Sequence, residues 1–242
     1  MKLATDLSLQ PWRSIFIEEG RVRIPNFLTP DSAHKIHEFL KNQEKWNLVF
    51  NQDGKHIDID SSSETLWDED QKTSFFNLVN AQATSQFQYL YKSIPIYDIY
   101  HKKLLPGNFL NKVFEFLNGE KFLEFVRKVL NTPDIGFADA QATCFSAGHF
   151  LTTHDDKVVG KNRLVAFVLN LTPTWNTNWG GALQFLDSDD QIEEVYAPTF
   201  NAMNFFTVPQ PHSVSYVTPF AGAQRYSITG WLRAGKDPCC SD

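Results

Sequence analysis

The period of the apolar residues changes near residue 140, and this change restricts the fold more than any other feature of the chain. Before it, apolar side chains recur every three to four residues, the spacing of one helix face. After it, they fall in short runs rich in Val, Leu, Ile and Phe and bounded by turn residues, the mark of strands. The spacing predicts a helix through Leu40 opened by Thr29-Pro30-Asp31. Thr29 or Asp31 can cap it, and Ile36, Phe39 and Leu40 form its stripe. A longer helix is predicted over 70–90, carrying Phe75, Phe76, Val79, Phe87 and Leu90. One or two more are predicted over 108–130, with a break at Asn118-Gly119. Strands are predicted over 163–171, 181–186, 202–208, 213–217 and 226–232, with Pro209, Pro211 and Pro219 at their ends. Helices followed by a series of strands give an α+β fold, a β-sandwich or jelly roll with helices packed outside.

Composition sharpens this reading. Phe supplies 21 of the 242 residues and Met only 2, so the core is stiff and aromatic, which suits β-rich packing. A net charge of -6 argues against broad nucleic-acid binding, which needs a basic face. No apolar run approaches the length of a membrane span, and the first residues turn polar too soon for a signal peptide. Three cysteines, two of them adjacent, make no disulfide framework; a reducing, cytoplasmic setting is expected.

His154 and Asp156 stand just before the 163–171 run. In an extended segment they share a face, while Asp155 points away. A histidine beside a carboxylate supplies two of the three ligands of a two-His-one-carboxylate iron site. His-x-Asp occurs twice, and downstream context separates the pairs. His154 is followed by Pro211-His212 and then by Arg225-Tyr226-Ser227-Ile228-Thr229, whereas His56-Ile57-Asp58 has no such followers and reads as a polar turn. Arg225, Ser227 and Thr229 alternate on one strand face. An inward Arg is costly unless it meets an anion, and its planar fork suits a carboxylate. His154, Asp156 and His212 could thus hold Fe(II), with a 2-oxoacid chelating two open positions and dioxygen taking the third.

The ordered motifs carry a resemblance. His154-Asp155-Asp156, the run from Arg163 to Leu171, Pro173-Thr174-Trp175, Gly180-Gly181, His212-Ser213-Val214-Ser215 and Arg225-Tyr226-Ser227-Ile228-Thr229-Gly230-Trp231 resemble the 2-oxoglutarate/Fe(II)-dependent dioxygenases of the prolyl-hydroxylase type. The likeness is greatest to the ribosomal prolyl hydroxylase group, and it covers residues 140–233. It implies a double-stranded β-helix with N-terminal bracing helices. It also implies Fe(II), 2-oxoglutarate as co-substrate, ascorbate, dioxygen and a prolyl residue of a polypeptide as target. The metal ligands carried over are His154, Asp156 and His212; Arg225, Ser227 and Thr229 take the co-substrate.

The chain departs from that pattern in two places. Prolyl hydroxylases commonly carry a Tyr where Asn170 stands, so Asn170 falls in the co-substrate set with a shorter side chain. The eukaryotic ribosomal enzymes also carry a second barrel, whereas this chain ends about ten residues after Trp231. Residues 1–242 are expected to be one catalytic domain: mainly helical support over 1–139, the barrel over 140–233 and a loose tail over 234–242 with Cys239-Cys240. Alternatives are hydroxylation of a free amino acid or other small molecule, and a jelly-roll module without catalysis. His34 and His37 read as a solvated helix face, His149 as a candidate for the substrate mouth, and Asp187–Asp190 as a solvated hairpin tip. Trp175 and Trp179 read as core or as a substrate clamp.

Overall fold

The computed structural model describes residues 1–240. Its elements run α1 (Trp12–Glu19), β1 (Arg21–Ile24), α2 (Pro30–Lys41), β2 (Asn47–Gln52), β3 (Lys55–Asp60), α3 (Glu69–Ala83), β4 (Tyr89–Ile94), α4 (Ile96–His101), α5 (Phe109–Leu117), α6 (Glu120–Val129) and β5 (Ile135–Phe145). There follow β6 (Phe150–His154), β7 (Arg163–Asn170), β8 (Leu183–Leu186), β9 (Ile192–Tyr196), β10 (Ala202–Thr207), β11 (His212–Val214) and β12 (Arg225–Ala234). The strands join one antiparallel sheet in the order β1-β10-β7-β12-β5-β4-β6-β11-β8-β9, with the β2–β3 hairpin paired onto β4. This sheet curls on itself as a double-stranded β-helix, the jelly roll that the strand series predicts.

The two ends of the sheet meet through side chains. Arg21 of β1 pairs with Glu193 of β9 at 3.0 Å and with Glu194. Arg23 donates to the Ala197 carbonyl at 2.7 Å, and its guanidinium lies 4.4 Å from the Tyr196 ring centre.

Alternation along β12 sorts residues between barrel and core. Tyr226, Ile228 and Leu232 face outward into the large cluster under the helices, while Arg225, Thr229 and Trp231 face the barrel cavity. On the outer face Phe27 packs edge-on against Phe122 at 6.2 Å and Phe205 at 6.0 Å. All three rings are fully buried, and deleting one costs about 3–5 kcal/mol. The break predicted at Asn118-Gly119 separates α5 from α6, and Asn118 binds the Ala138 backbone through both ends of its amide.

The first half is less helical than its periodicity suggests. The helix predicted over 70–90 stops at Ala83; Asp68 and Gln71 close a reciprocal capping box at its start. Leu90 belongs to β4, where it packs with Leu48, Phe50, Val79 and Phe150, and Phe87 lies just before that strand. Residues 85–90 continue the helical phase by accident. Pairing of β4 with β2, β5 and β6 decides its conformation. The β2–β3 hairpin includes His56-Ile57-Asp58, which reads as a polar turn in the sequence, and β5 starts at Ile135, before the expected boundary. The Asp187–Gln191 turn joins β8 to β9 and is exposed, as a hairpin tip should be. His34 is exposed but His37 is not: it is buried between Phe200 and Tyr226, which corrects the solvated reading.

Candidate active site

Three of the predicted side chains converge. β6 ends at His154, and β11 places His212 directly opposite it in register, so the two rings lie 4.1 Å apart. Asp156 follows two residues later. Simple strand alternation does not bring it there, because the strand has already ended. Asp156 adopts φ 62°, a left-handed conformation that Asp tolerates better than most residues, and the turn swings its carboxylate back between the rings. Oδ1 lies 3.4 Å from His154 Nε2 and Oδ2 lies 3.5 Å from His212 Nε2. Asp155 points to solvent and accepts from the Lys157 N–H, as expected.

The backbone sets the tautomers. His154 Nδ1 lies 3.0 Å from the Thr152 carbonyl, and His212 Nδ1 lies 2.7 Å from the Gln210 carbonyl. A carbonyl only accepts, so each Nδ1 carries the hydrogen and each Nε2 is left to face the carboxylate. Burial pushes His212 down to about 4, helped by the neighbouring His154, so it is neutral at physiological pH. Burial alone would raise Asp156, but the two histidines attract its carboxylate once they carry protons, and this prevails and holds it at about 2. Unprotonated ring nitrogens and an ionised carboxylate facing one another within 4.8 Å form a set of electron-pair donors that a cation satisfies. The residues present therefore fit a divalent iron.

Arg163 braces this turn. Its Nη1 donates to the Asp156 carbonyl at 3.0 Å and lies 3.9 Å from Oδ1, while its guanidinium stacks 3.4 Å above the Trp231 ring. Neither Arg163 nor Trp231 was an expected site residue. Arg163 is the single charge opening an apolar run, and that was the available signal.

The site opens into a cavity of about 620 Å³. Arg225 lies in its wall, fully buried, with Nε unpartnered among the described residues. Among the described residues it has no carboxylate partner; Nη2 reaches the Asn170 amide oxygen at 3.4 Å, and the Phe145 ring lies 5.2 Å away. Burial pushes the guanidinium down to about 10. A buried cation with spare donors facing a cavity is a receptor for an anion, so the residues also fit a dicarboxylate co-substrate. Thr229 lies in the cavity wall too. Ser227 and Asn170 do not reach it: the Ser227 hydroxyl sits 3.2 Å from Thr143 Oγ1, and Asn170 spends its amide on Arg225 and the Ala202 carbonyl. The wall instead presents Tyr91, Gln141 and Thr143. The Tyr91 hydroxyl is deeply buried, which pushes it up to about 12.

His56 departs from its reading as a turn residue. It sits on β3 at the cavity wall, with Nδ1 2.7 Å from the Tyr89 hydroxyl. Asp58 stays apart and accepts from Asn47. His149 is buried in the turn before β6, accepts from the Ser146 N–H, and takes no part in the wall. Trp175 and Trp179 pack edge to face at 5.3 Å, away from the cavity. The loop they hold needs Gly180: at φ 71° an added Cβ would lie 2.0 Å from the Tyr216 carbonyl oxygen.

Residues 140–233 match the model of the 2OG-Fe(II) oxygenase superfamily. The chain is 38% identical over 89 residues to the prolyl 3-hydroxylase OGFOD1 of Mus musculus; that segment is 34% of this chain and 16% of the relative's length. Its fold resembles a prolyl 4-hydroxylase from Pseudomonas putida (TM-score 0.59, 17% identity, 94% of this chain and 100% of that one). It also resembles a prolyl hydroxylase from Trichoplax adhaerens solved with a hypoxia-inducible-factor peptide (TM-score 0.57, 15% identity, 93% and 89% of the two chains).

Proposed function

We propose that this chain, whose residues 140–233 are those of a 2OG-Fe(II) oxygenase, is a hydroxylase of prolyl residues in a polypeptide. The observation that carries the reading is the pairing of two features in one cavity: the His154–Asp156–His212 donor set, and the buried Arg225 that no carboxylate neutralises. In this reading His154, Asp156 and His212 hold the iron. Arg225 takes the far carboxylate of 2-oxoglutarate, with Thr229 beside it. Asn170 orients the guanidinium, and Ser227 ties β12 to β5 behind it. Bound iron and 2-oxoglutarate together supply dioxygen activation coupled to oxidative decarboxylation, which yields succinate, CO2 and a hydroxylated C–H bond.

The protein's own share is position and exclusion. The Thr152 and Gln210 carbonyls orient the two imidazoles before any ligand arrives, and Arg163 fixes the turn that carries Asp156. Phe145, Phe167, Val168 and Phe206 keep the cavity dry, so charges inside it act through a low dielectric.

A polypeptide target is supported by the mouth of the cavity, where His56 and the exposed Phe87 lie on the hairpin side. A small charged substrate calls for a second free cation or carboxylate deep in the cavity. Arg163 is already engaged by Asp156 and Trp231. Residues 1–242 act as one catalytic unit in this reading, since β1 to β4 belong to the same sheet as the site strands. Ascorbate would keep the iron ferrous. A cytoplasmic place agrees with three free cysteines, and no helix of the described residues is long and apolar enough to cross a membrane.

The test is incubation with Fe(II), 2-oxoglutarate and a library of proline-containing peptides. Succinate release and a gain of one oxygen on proline are expected, and both should be absent from His154→Ala. Succinate formed with free amino acids but with no peptide would refute the prolyl-residue reading. A folded protein that binds neither Fe(II) nor 2-oxoglutarate would refute the oxygenase reading itself.

A further inference from the structure

Residues 235–240, read from the sequence as part of a loose tail, are tied down. Asp237-Pro238-Cys239-Cys240 forms a tight turn in which the Cys240 N–H donates to the Asp237 carbonyl at 3.0 Å. Asp at the first position and Pro at the second are the residues such a turn favours. The Cys239 N–H donates to Asp237 Oδ1 at 3.0 Å, which folds both thiols back toward the carboxylate. One turn of α4 meets this group from the other side. Tyr97 and His101 stand four apart and share a helix face. The Tyr97 hydroxyl donates to Asp237 Oδ1 at 2.5 Å, and His101 Nε2 lies 2.9 Å from Oδ2.

His101 Nε2, an Asp237 oxygen and Cys239 Sγ all lie within 4.8 Å of one another. Zinc held tetrahedrally, with nitrogen near 2.0 Å and sulfur near 2.3 Å, separates its donors by roughly 3.5 Å. A small movement of Cys239, which is exposed, closes the difference. Nε2 is buried and makes no hydrogen bond among the described residues despite its distance from Oδ2, so the nitrogen is not aimed at that oxygen.

We propose that this cluster is a second metal site, separate from the His154 set, and that it takes a thiophilic divalent cation of the zinc class. Imidazole, carboxylate and thiolate are the donors such an ion selects, and thiolate favours zinc over the oxygen-seeking cations. His101, Asp237 and Cys239 would be ligands, with Cys240 the nearest candidate for the fourth position. Binding forms a metal–sulfur bond at each thiol used and releases that thiol's proton to solvent. The ion would staple the tail to α4, which packs with α5 against β5 and so against the barrel.

The probe is Co2+ added under reducing conditions to the full chain after its metals have been stripped. Cobalt bound by thiolate gives a sulfur-to-metal charge-transfer band in the near ultraviolet, and the His154–Asp156–His212 site has no sulfur to give one. The band should saturate at one Co2+ per chain and bleach on adding Zn2+. It should vanish in the double variant Cys239→Ser, Cys240→Ser, whose exposed positions keep the fold safe. His101→Gln should weaken the cobalt affinity at least tenfold, and Zn2+ should raise the melting temperature of the wild type more than that of the double variant. Absence of the band would overturn the proposal. So would a band of unchanged affinity in both His101→Gln and Asp237→Asn, since the thiols would then be binding metal without the helix.

Discussion

Arg225→Met separates the stability of this protein from its proposed chemistry. The guanidinium is fully buried, faces the cavity and lacks a carboxylate partner among the described residues. Burial lowers it from 12.5 to about 10, and each unit is worth about 1.4 kcal/mol. The folded state thus binds this proton less tightly than the unfolded one. Below about pH 10 the charged form therefore disfavours folding in full, by about 3 kcal/mol. Met has nearly the same reach and no charge. It removes that cost but leaves the Asn170 amide oxygen without its donor, which takes back about 1 kcal/mol. Without ligands, the variant should be about 2 kcal/mol more stable than the wild type. For a chain of this size that raises the melting temperature by about 4–8 °C. Adding 2-oxoglutarate with Mn2+ reverses the comparison: the wild type gains about 2.7 kcal/mol at a hundredfold excess over Kd, and the variant gains far less. Urea unfolding with and without the ligand pair checks both halves. A ligand-free variant less stable than the wild type would refute the account of Arg225 as a stored, uncompensated charge.

Other expectations follow from the same geometry. His149 is buried and pushed down to about 4, so the unfolded chain binds its proton more tightly between pH 6.5 and 4. His149→Gln should match the wild type's acid sensitivity above pH 6.5 and become relatively more stable on acidification, by about 3 kcal/mol at pH 4 in urea titrations. Gly180→Ala should cost at least about 2 kcal/mol and red-shift tryptophan emission, because the methyl collides with the Tyr216 carbonyl and displaces the Trp175–Trp179 pair toward solvent. Mn2+ added to the metal-stripped protein should raise the melting temperature of the wild type but not that of His212→Ala, as followed by differential scanning fluorimetry. Arg163→Lys should keep the fold but weaken Mn2+ binding about tenfold, since an ammonium cannot both stack on Trp231 and brace the Asp156 carbonyl.

The half of the chain that carries the site was the legible half. In β7 and β12 the side chains alternate between barrel and core, so period two alone sorts Arg225 and Thr229 from Tyr226 and Ile228. His212 was legible because it follows a proline at a strand start, facing back across the sheet. The arrangement of Asp156 was not. Its identity could be read, but alternation was the wrong reason for its place, since a single left-handed residue does the work and no glycine announces it. The aromatic wall from β4 was hidden as well. Tyr89 and Tyr91 follow a true helix closely enough to pass as its continuation, and only strands distant in sequence reveal them as part of the sheet. Asn170 kept the position the resemblance assigned but not the task, for its amide faces a neighbouring guanidinium rather than the cavity.

Where β1 and β9 meet, the cylinder is fastened by a clasp of two arginines rather than by a ladder of amides. Unfastening it breaks the ion pairs of the nearly buried Arg21 and leaves every strand-to-strand ladder intact. The closure of the barrel therefore rests on side chains, with no strand pairing across this seam among the described residues.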